Sequence, residues 1–387
     1  MRFKNNKISL SIPFIDFNEK KLILNSIKKN EISTFGSNVS NFEKNIAKLT
    51  GGKYNLALNS GSSALLIAFK SVGLKKNDLV ITQSYTFTAT TNSIIHSGGI
   101  PWLFDIDKEN LSIDINNVKA KLAQNCFKKG KFYFHKLTKK RVFAICPVFT
   151  LSIIPRIDKL KSLAKQYNLK IIFDAACAIN SKFQKKDIVN FSDITTFSFN
   201  GNKSLTTGSG GLICTNNKFL YNKSKLISEN GKYKSSYEYS DIGYNLRMNN
   251  LNAAIGIGQI KKFKKIKQKK GMISKKYQTL VDEDLAKPLP KPWYSKHLTW
   301  INCLILTNPL EVKKIINLLK RSNIETKYFW KPMHLQKIKD NFIIEKNMKN
   351  TNYVWKRILP LPSSTGLKNN DQNKIINIIK KYFKNLK

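Results

Sequence analysis

Lys203 ends the run Phe197-Ser198-Phe199-Asn200-Gly201-Asn202-Lys203, in which an apolar stretch gives way to a polar, glycine-bearing turn. Ser204-Leu205-Thr206-Thr207-Gly208-Ser209-Gly210-Gly211 follows and leads into a second apolar stretch. A lysine projecting from such a turn into a dry pocket can lose its proton and condense with a carbonyl carbon as an imine. Most lysines in so lysine-rich a chain are solvated surface, and the turn alone is compatible with either role. Two further segments supply what an imine-forming site needs. Ile171-Ile172-Phe173-Asp174 puts a carboxylate at the end of an apolar strand, where burial demands a cationic or hydrogen-bonding partner. A protonated ring nitrogen would serve, and the ion pair would keep the ring an electron sink; the same aspartate could equally cap a following helix. Asn59-Ser60-Gly61-Ser62-Ser63-Ala64 lies between a strand and a helix. Gly61 lets a ligand approach the backbone, and the free N–H groups of the helix's first turn favour an anion. Any strand-to-helix turn looks much the same.

The elements that would position these residues alternate between short apolar runs and helical patterns. Strands are expected at Asn55–Leu58, Leu79–Gln83, Pro101–Ile106, Arg141–Pro147, Lys170–Asp174, Ile194–Phe199 and Gly211–Cys214. Helical periodicity lies between several of them, at Asn41–Leu49, Ser63–Val72 and Ile157–Gln166. Strands separated by helices imply βαβ units and a mostly parallel sheet, hence an α/β domain. The composition shifts after about residue 260. Lys261–Lys270 reads as a long exposed helix bridging to a second unit, in which Trp300–Leu306 is a strand and Glu311–Arg321 and Gln372–Phe383 are helices. The expected division is a large domain over 1–260, including an N-terminal arm, and a smaller C-terminal α+β domain over 261–387. No internal repeat appears.

The chain has 387 residues, 41% of them hydrophobic, enough for two cored units. No run approaches the ~18 apolar residues of a membrane span, and Met1 to Ile12 lacks the apolar region of a secretory signal. The cysteines at 126, 146, 177, 214 and 303 form no CxxC pair or zinc spacing, which fits reduced thiols in a cytoplasm and neither a disulfide framework nor a metal site. The net charge is +44, from 68 basic and 24 acidic residues. Phosphate-reading surfaces recruit arginine for its bidentate fork. Here only six of the 68 are arginine, and the lysines run from end to end. Nucleic-acid binding is therefore not expected; the charge should raise the encounter rate with anionic substrates at low salt.

The segments SGSSAL, SYTFTATTNSI, FDAACA, FSFNGNKSLTTGSGG and GYNLRMNNLNAAIGIGQI resemble, in order and spacing, the DegT/StrS sugar aminotransferases. The resemblance runs from Ile12-Pro13 to Leu359-Pro360-Leu361-Pro362-Ser363-Ser364. It implies the pyridoxal phosphate-dependent transferase fold of type I, with a mostly parallel seven-stranded sheet in the large domain. It also implies that Lys203 binds pyridoxal phosphate and moves protons, that Asp174 pairs with the pyridine nitrogen, and that Phe87 stacks on the ring. Gly61, Ser62 and Ser198 match groups that hold the cofactor phosphate. Asn245 matches a phosphate ligand from a second subunit, so a homodimer with shared sites is implied. An insertion spanning Asn125–Val142 and the segment Trp330-Lys331-Pro332-Met333-His334-Leu335-Gln336 resemble the LegC-type and bacillosamine-type branch. That branch aminates C4 of UDP-linked 4-keto-6-deoxy-N-acetylhexosamines for cell-surface glycans, with L-glutamate as donor. Lys331 and His334 are the expected substrate contacts.

Two departures accompany the resemblance. Cys177 stands beside the cofactor hydroxyl where relatives carry Gln, Glu or His, and a thiol donates only a weak hydrogen bond. Pro147-Val148-Phe149-Thr150-Leu151-Ser152 replaces a Pro-Val-His-Leu-Tyr-Gly pattern, losing a histidine, an aromatic and a glycine. These changes keep open a non-catalytic binding or regulatory protein on the same scaffold. A pyridoxal phosphate-dependent sugar dehydratase is the other alternative, but such relatives replace the lysine with histidine.

Overall fold

The computed structural model describes residues 7–233, 237–282 and 284–386; the first six residues of the polar N-terminal segment lie outside them. All seven expected strands form. They are β1 (Tyr54–Leu58), β2 (Leu79–Gln83), β3 (Ile100–Phe104), β4 (Arg141–Cys146), β5 (Lys170–Asp174), β6 (Ile194–Ser198) and β7 (Gly211–Thr215). Their order across the sheet is β1-β7-β6-β5-β4-β2-β3. Strands β6, β5, β4, β2 and β3 pair in parallel, whereas β7 is antiparallel to both neighbours. Such strands are covered on both faces, which is why they are near-continuous apolar runs. The two apolar layers divide accordingly, with Ile81, Ile145, Phe173 and Leu212 in one and Val80, Ala144, Ile172 and Ile213 in the other.

The sheet is larger than the seven strands expected. Ile343–Ile344 adds a short parallel strand beside β3, and the 125–142 insertion folds as a hairpin, Cys126–Lys129 with Phe132–His135. That hairpin pairs with the amino end of β4 through Tyr133 and Phe134.

The C-terminal third has its own three-stranded antiparallel sheet, Ala286–Pro288, Asn302–Leu306 and Ile358–Leu361. Helices Pro309–Arg321 and Asn369–Lys384 cover it. The first starts where Asn308 accepts from the Leu310 N–H with Pro309 inside the first turn, and it buries Val312, Ile315 and Leu319 at helical spacing. Ile8 bridges to Ile324, so the N-terminal arm packs into this apolar cluster.

The lysine-rich run departs from the exposed helix expected. Helices Asn250–Lys261 and Phe263–Tyr277 meet at Lys262, and the second buries Phe263, Ile266, Lys270, Ile273 and Tyr277. Lys262 is buried too, paired with Glu19 at 2.8 Å and Asp16 at 3.1 Å. Among the described residues, no helix is long and apolar enough to cross a membrane.

Candidate active site

Strand β1 is antiparallel to β7, which is antiparallel to β6, so β1, β2, β4, β5 and β6 all present their carboxyl ends to one edge. That edge is where open α/β sheets bind ligands. A cavity of about 330 Å³ lies there, and Gly61, Ser62, Phe87, Asp174, Cys177, Ser198 and Lys203 all line it. Strand β7 runs the other way and brings Ser209 and Gly210, just before its amino end, to the same wall.

Helix Gly61–Ser71 opens at this edge. Ser60 caps it, accepting from the Ser63 N–H at 3.1 Å. The preceding first-turn N–H groups, of Gly61 and Ser62, have no intrahelical acceptor and belong to residues facing the cavity. A Cβ at Gly61 would stand 2.8 Å from the Ser198 Cβ, so only glycine allows the turn after β1 to approach the end of β6. Free N–H groups at a helix N-terminus are the arrangement that suits an anion.

Asp174 is 4% exposed. Its carboxylate accepts from Thr90 Oγ1 at 2.6 Å and from the Ala176 N–H at 3.1 Å, and no ion pair reaches it among the described residues. No helix follows it, so the capping alternative does not apply. Burial pushes its carboxyl above the usual range, against the two hydrogen bonds and the Lys203 charge. A buried carboxylate that lines a cavity fits a protonated ring nitrogen. Thr90 escaped the sequence reading, although it lies on the same motif as Phe87, in the first turn of the helix that Phe87 precedes. Phe87 precedes helix Thr88–His96, is half-exposed to the cavity and lies 6.1 Å from Trp330.

Lys203 Nζ donates to Cys177 Sγ at 3.0 Å and lies 4.0 Å from the centre of the Trp300 ring. Burial pushes the Cys177 thiol up, with Lys203 opposing. Trp300 was expected only as the start of a strand. The strand begins two residues later, at Asn302, and the Trp300 indole turns towards the Lys203 turn.

The altered Phe149–Ser152 segment forms a short 3-10 turn with two left-handed residues, Leu151 at φ 54° and Ser152 at φ 76°. Ser152 thus occupies with a side chain the backbone conformation that suits the glycine of the family pattern. Its hydroxyl donates to the Cys177 carbonyl at 2.6 Å. Gln83, fully buried, fixes the approach to this turn. Its amide bonds both the N–H and the carbonyl of Val148, at 2.9 and 3.1 Å, and Thr150 Oγ1 at 2.9 Å.

Three expected residues stand outside the cavity. Asn245 is exposed on a segment bridged to Glu229. Lys331 is exposed beside Trp330, which does line the cavity. His334 is half-buried, with Nδ1 2.6 Å from Ser84 Oγ and Nε2 3.2 Å from Asn352 Oδ1; burial lowers its pKa, opposed by Asn352 and Asp105. The hairpin insertion, at the amino end of β4, contributes no residue to the cavity.

Residues 13–380 match the DegT/DnrJ/EryC1/StrS aminotransferase family. The chain is 28% identical over 379 residues to a GDP-perosamine synthase of Vibrio cholerae, covering 96% of this chain and 98% of that one. It is 34% identical over 237 residues to a UDP-4-amino-4,6-dideoxy-N-acetyl-beta-L-altrosamine transaminase of Campylobacter jejuni, covering 60% and 59%. The solved structure of Helicobacter pylori PseC, an aminotransferase of pseudoaminic acid biosynthesis, superposes with a TM-score of 0.88 at 24% identity over 98% of this chain and 100% of that one. With its type I fold, its cavity at the carboxyl edge and a match over nearly its whole length, the chain belongs to the DegT/DnrJ/EryC1/StrS family of pyridoxal phosphate-dependent sugar aminotransferases.

Proposed function

We propose that the protein moves the amino group of L-glutamate to C4 of a UDP-linked 4-keto-6-deoxy-N-acetylhexosamine, releasing 2-oxoglutarate and the 4-amino sugar for a cell-surface glycan. The observation that carries this is the convergence of Lys203, Asp174, Phe87 and the Gly61–Ser62 turn on one cavity. Pyridoxal phosphate, when bound, supplies the electron sink and carries the amino group. The Gly61 and Ser62 N–H groups and the Ser198 hydroxyl would hold its phosphate, Asp174 would keep its ring nitrogen protonated, and Phe87 and Cys177 would line the space for its ring. Lys203 Nζ takes a proton from Cα of glutamate in one half-reaction and returns one to C4 of the sugar in the other.

Asn245, exposed and outside its own chain's cavity, is assigned to the phosphate of a second subunit in a homodimer. Lys331, exposed next to Trp330, supports a contact with the sugar-nucleotide diphosphate. His334 then holds the Trp330–Gln336 segment through Ser84. The UDP assignment is supported by the Campylobacter jejuni relative's activity, and the five unpaired cysteines support a cytoplasmic setting.

The test is a panel of UDP- and GDP-linked 4-keto-6-deoxy sugars incubated with glutamate and the cofactor-loaded protein, with 2-oxoglutarate as readout. The UDP-linked N-acetylhexosamine is expected to be aminated, and Lys203→Ala to abolish turnover. Preference for a GDP-linked sugar would overturn the nucleotide assignment; no release with any acceptor would overturn the function.

A further inference from the structure

The carbonyl of Asn202, immediately before Lys203, accepts two hydrogen bonds from remote parts of the chain. Trp300 Nε1 donates at 2.7 Å and Ser11 Oγ at 2.7 Å. The same indole presents its face to Lys203 Nζ, 4.0 Å from the ring centre. Trp300 therefore grips the turn twice, with its N–H on the backbone before the lysine and its ring on the amine itself. A cation over an indole face is attracted by the ring quadrupole, most strongly when desolvated, so the contact adds to the Cys177 hydrogen bond in favouring one direction for the side chain.

The main chain of Trp300 is held in turn. Lys270 Nζ donates to the Trp300 carbonyl at 2.7 Å and to the Ser363 carbonyl at 2.6 Å. Lys270 lies in the apolar stripe of helix Phe263–Tyr277 and is 2% exposed. Burial alone, with no facing carboxylate, pulls its ammonium down to about 7. An uncharged side chain of similar length would fill that space without the cost of a buried cation. What distinguishes Lys270 is the pair of carbonyls it joins.

We propose that Trp300 is the positioning residue for the Lys203 amine, and that Lys270, which touches neither Lys203 nor the cavity, sets Trp300 in place. The proposal rests on the reading of Lys203 as the imine-forming, proton-moving lysine. A displacement of about 1 Å at a reacting group can cost about 100-fold in rate, so the effect belongs in kcat and not in KM.

The experiment uses the full chain with Trp300→Leu, Trp300→Phe and Lys270→Met, assayed well below their unfolding temperatures. Two rates are read: kcat for amination, and the rate at which apoprotein captures added pyridoxal phosphate, followed at the imine absorbance band. Trp300→Leu should lower both by roughly 10- to 100-fold with KM for glutamate changed by no more than about twofold. Trp300→Phe keeps a ring face and should lose roughly three- to tenfold. Lys270→Met should lower both rates in the same proportion to each other as Trp300→Leu does. A purely structural role for Lys270 would lower the unfolding temperature and leave both rates at wild-type values in the folded protein, which would overturn the Lys270 half. Wild-type rates in Trp300→Leu would overturn the whole. If Lys270→Met does not fold, Lys270→Gln, which keeps a donor at shorter reach, carries the same comparison. A wild type that captures no pyridoxal phosphate would instead overturn the reading of Lys203.

Discussion

Replacing Ser152 by alanine and by glycine separates two opposed effects at one residue. Ser152 is buried at φ 76°, directly after Leu151 at φ 54°. A residue with a Cβ in left-handed backbone costs about 1–2 kcal/mol. The Ser152 hydroxyl offsets part of this by donating to the Cys177 carbonyl at 2.6 Å. Such a bond contributes about 1 kcal/mol net, and its removal costs about 1–3 kcal/mol if the buried carbonyl is left without a donor. Ser152→Ala keeps the Cβ and loses the hydroxyl, so it should destabilise by about 1–3 kcal/mol. Ser152→Gly loses the same bond and releases the strain, while the greater freedom of glycine in the unfolded chain takes back about 0.5–1 kcal/mol. Glycine should therefore exceed alanine in stability by roughly 0.5–1 kcal/mol. At ordinary helical or extended backbone the order is the reverse, by about the same amount. The assay is urea unfolding of the two apoproteins, comparing midpoints at unchanged slope. An alanine variant as stable as the glycine variant, or more so, would refute a strained left-handed serine at this position.

Asp174 should make the stability of the apoprotein depend on pH. Burial raises its folded-state pKa above that of an ordinary aspartate, so its contribution is present below about 4 and is lost as pH rises through the raised value. Asp174→Asn should then raise the unfolding temperature of the apoprotein at pH 7 relative to wild type, flatten that pH dependence and abolish transamination; an unfolding temperature unchanged at both pH 4 and pH 7 would count against a buried, unpaired carboxylate. Shared sites predict complementation: Lys203→Ala and Asn245→Glu are each inactive, and their equimolar mixture, after dissociation and reassembly, should recover about a quarter of wild-type activity, because half the dimers then hold one intact site. No recovery in a reassembled mixture would place Asn245 on its own chain's site, and activity of Asn245→Glu alone would place it on none.

The seven strands were legible because strands covered on both faces, parallel or not, are short apolar runs bounded by turns; β2, buried at every position, is one such run. That Asp174 and Lys203 line one cavity has a related reason: Asp174 ends one strand and Lys203 lies in the turn that follows another, and strand ends on one edge of a doubly covered sheet converge whatever the rest of the chain does. Trp300 was not. Its indole reaches a carbonyl 98 residues away, and periodicity reports only which face of its own element a residue occupies. The left-handed serine was half legible, since the glycine it replaces was visible in the family pattern while the hydroxyl's bond to Cys177 was not. The hairpin insertion, conspicuous in the sequence as a mark of one branch of the family, pairs at the amino end of β4 and lines no part of the cavity.

The lysine-rich run shows how composition can hide a signal that periodicity carries. Phe263, Ile266, Lys270, Ile273 and Tyr277 follow helical spacing, so Lys270 falls inside an apolar stripe. Against 62 lysines, that one position is easily taken for surface. The two buried lysines of this region are satisfied differently, and the difference separates their roles. Lys262 meets Glu19, itself 0% exposed, and Asp16, so it ties helix Phe17–Lys28 to the junction of two long helices through charge. Removing either partner would leave a buried charge, an effect on stability alone. Among the described residues, Lys270 meets two carbonyls, one of them on the tryptophan that lies against Lys203. Its neutral replacement leaves no opposite charge stranded, and what it releases is the backbone of Trp300. Of the two, Lys270 is the one whose loss should be felt at the reacting amine.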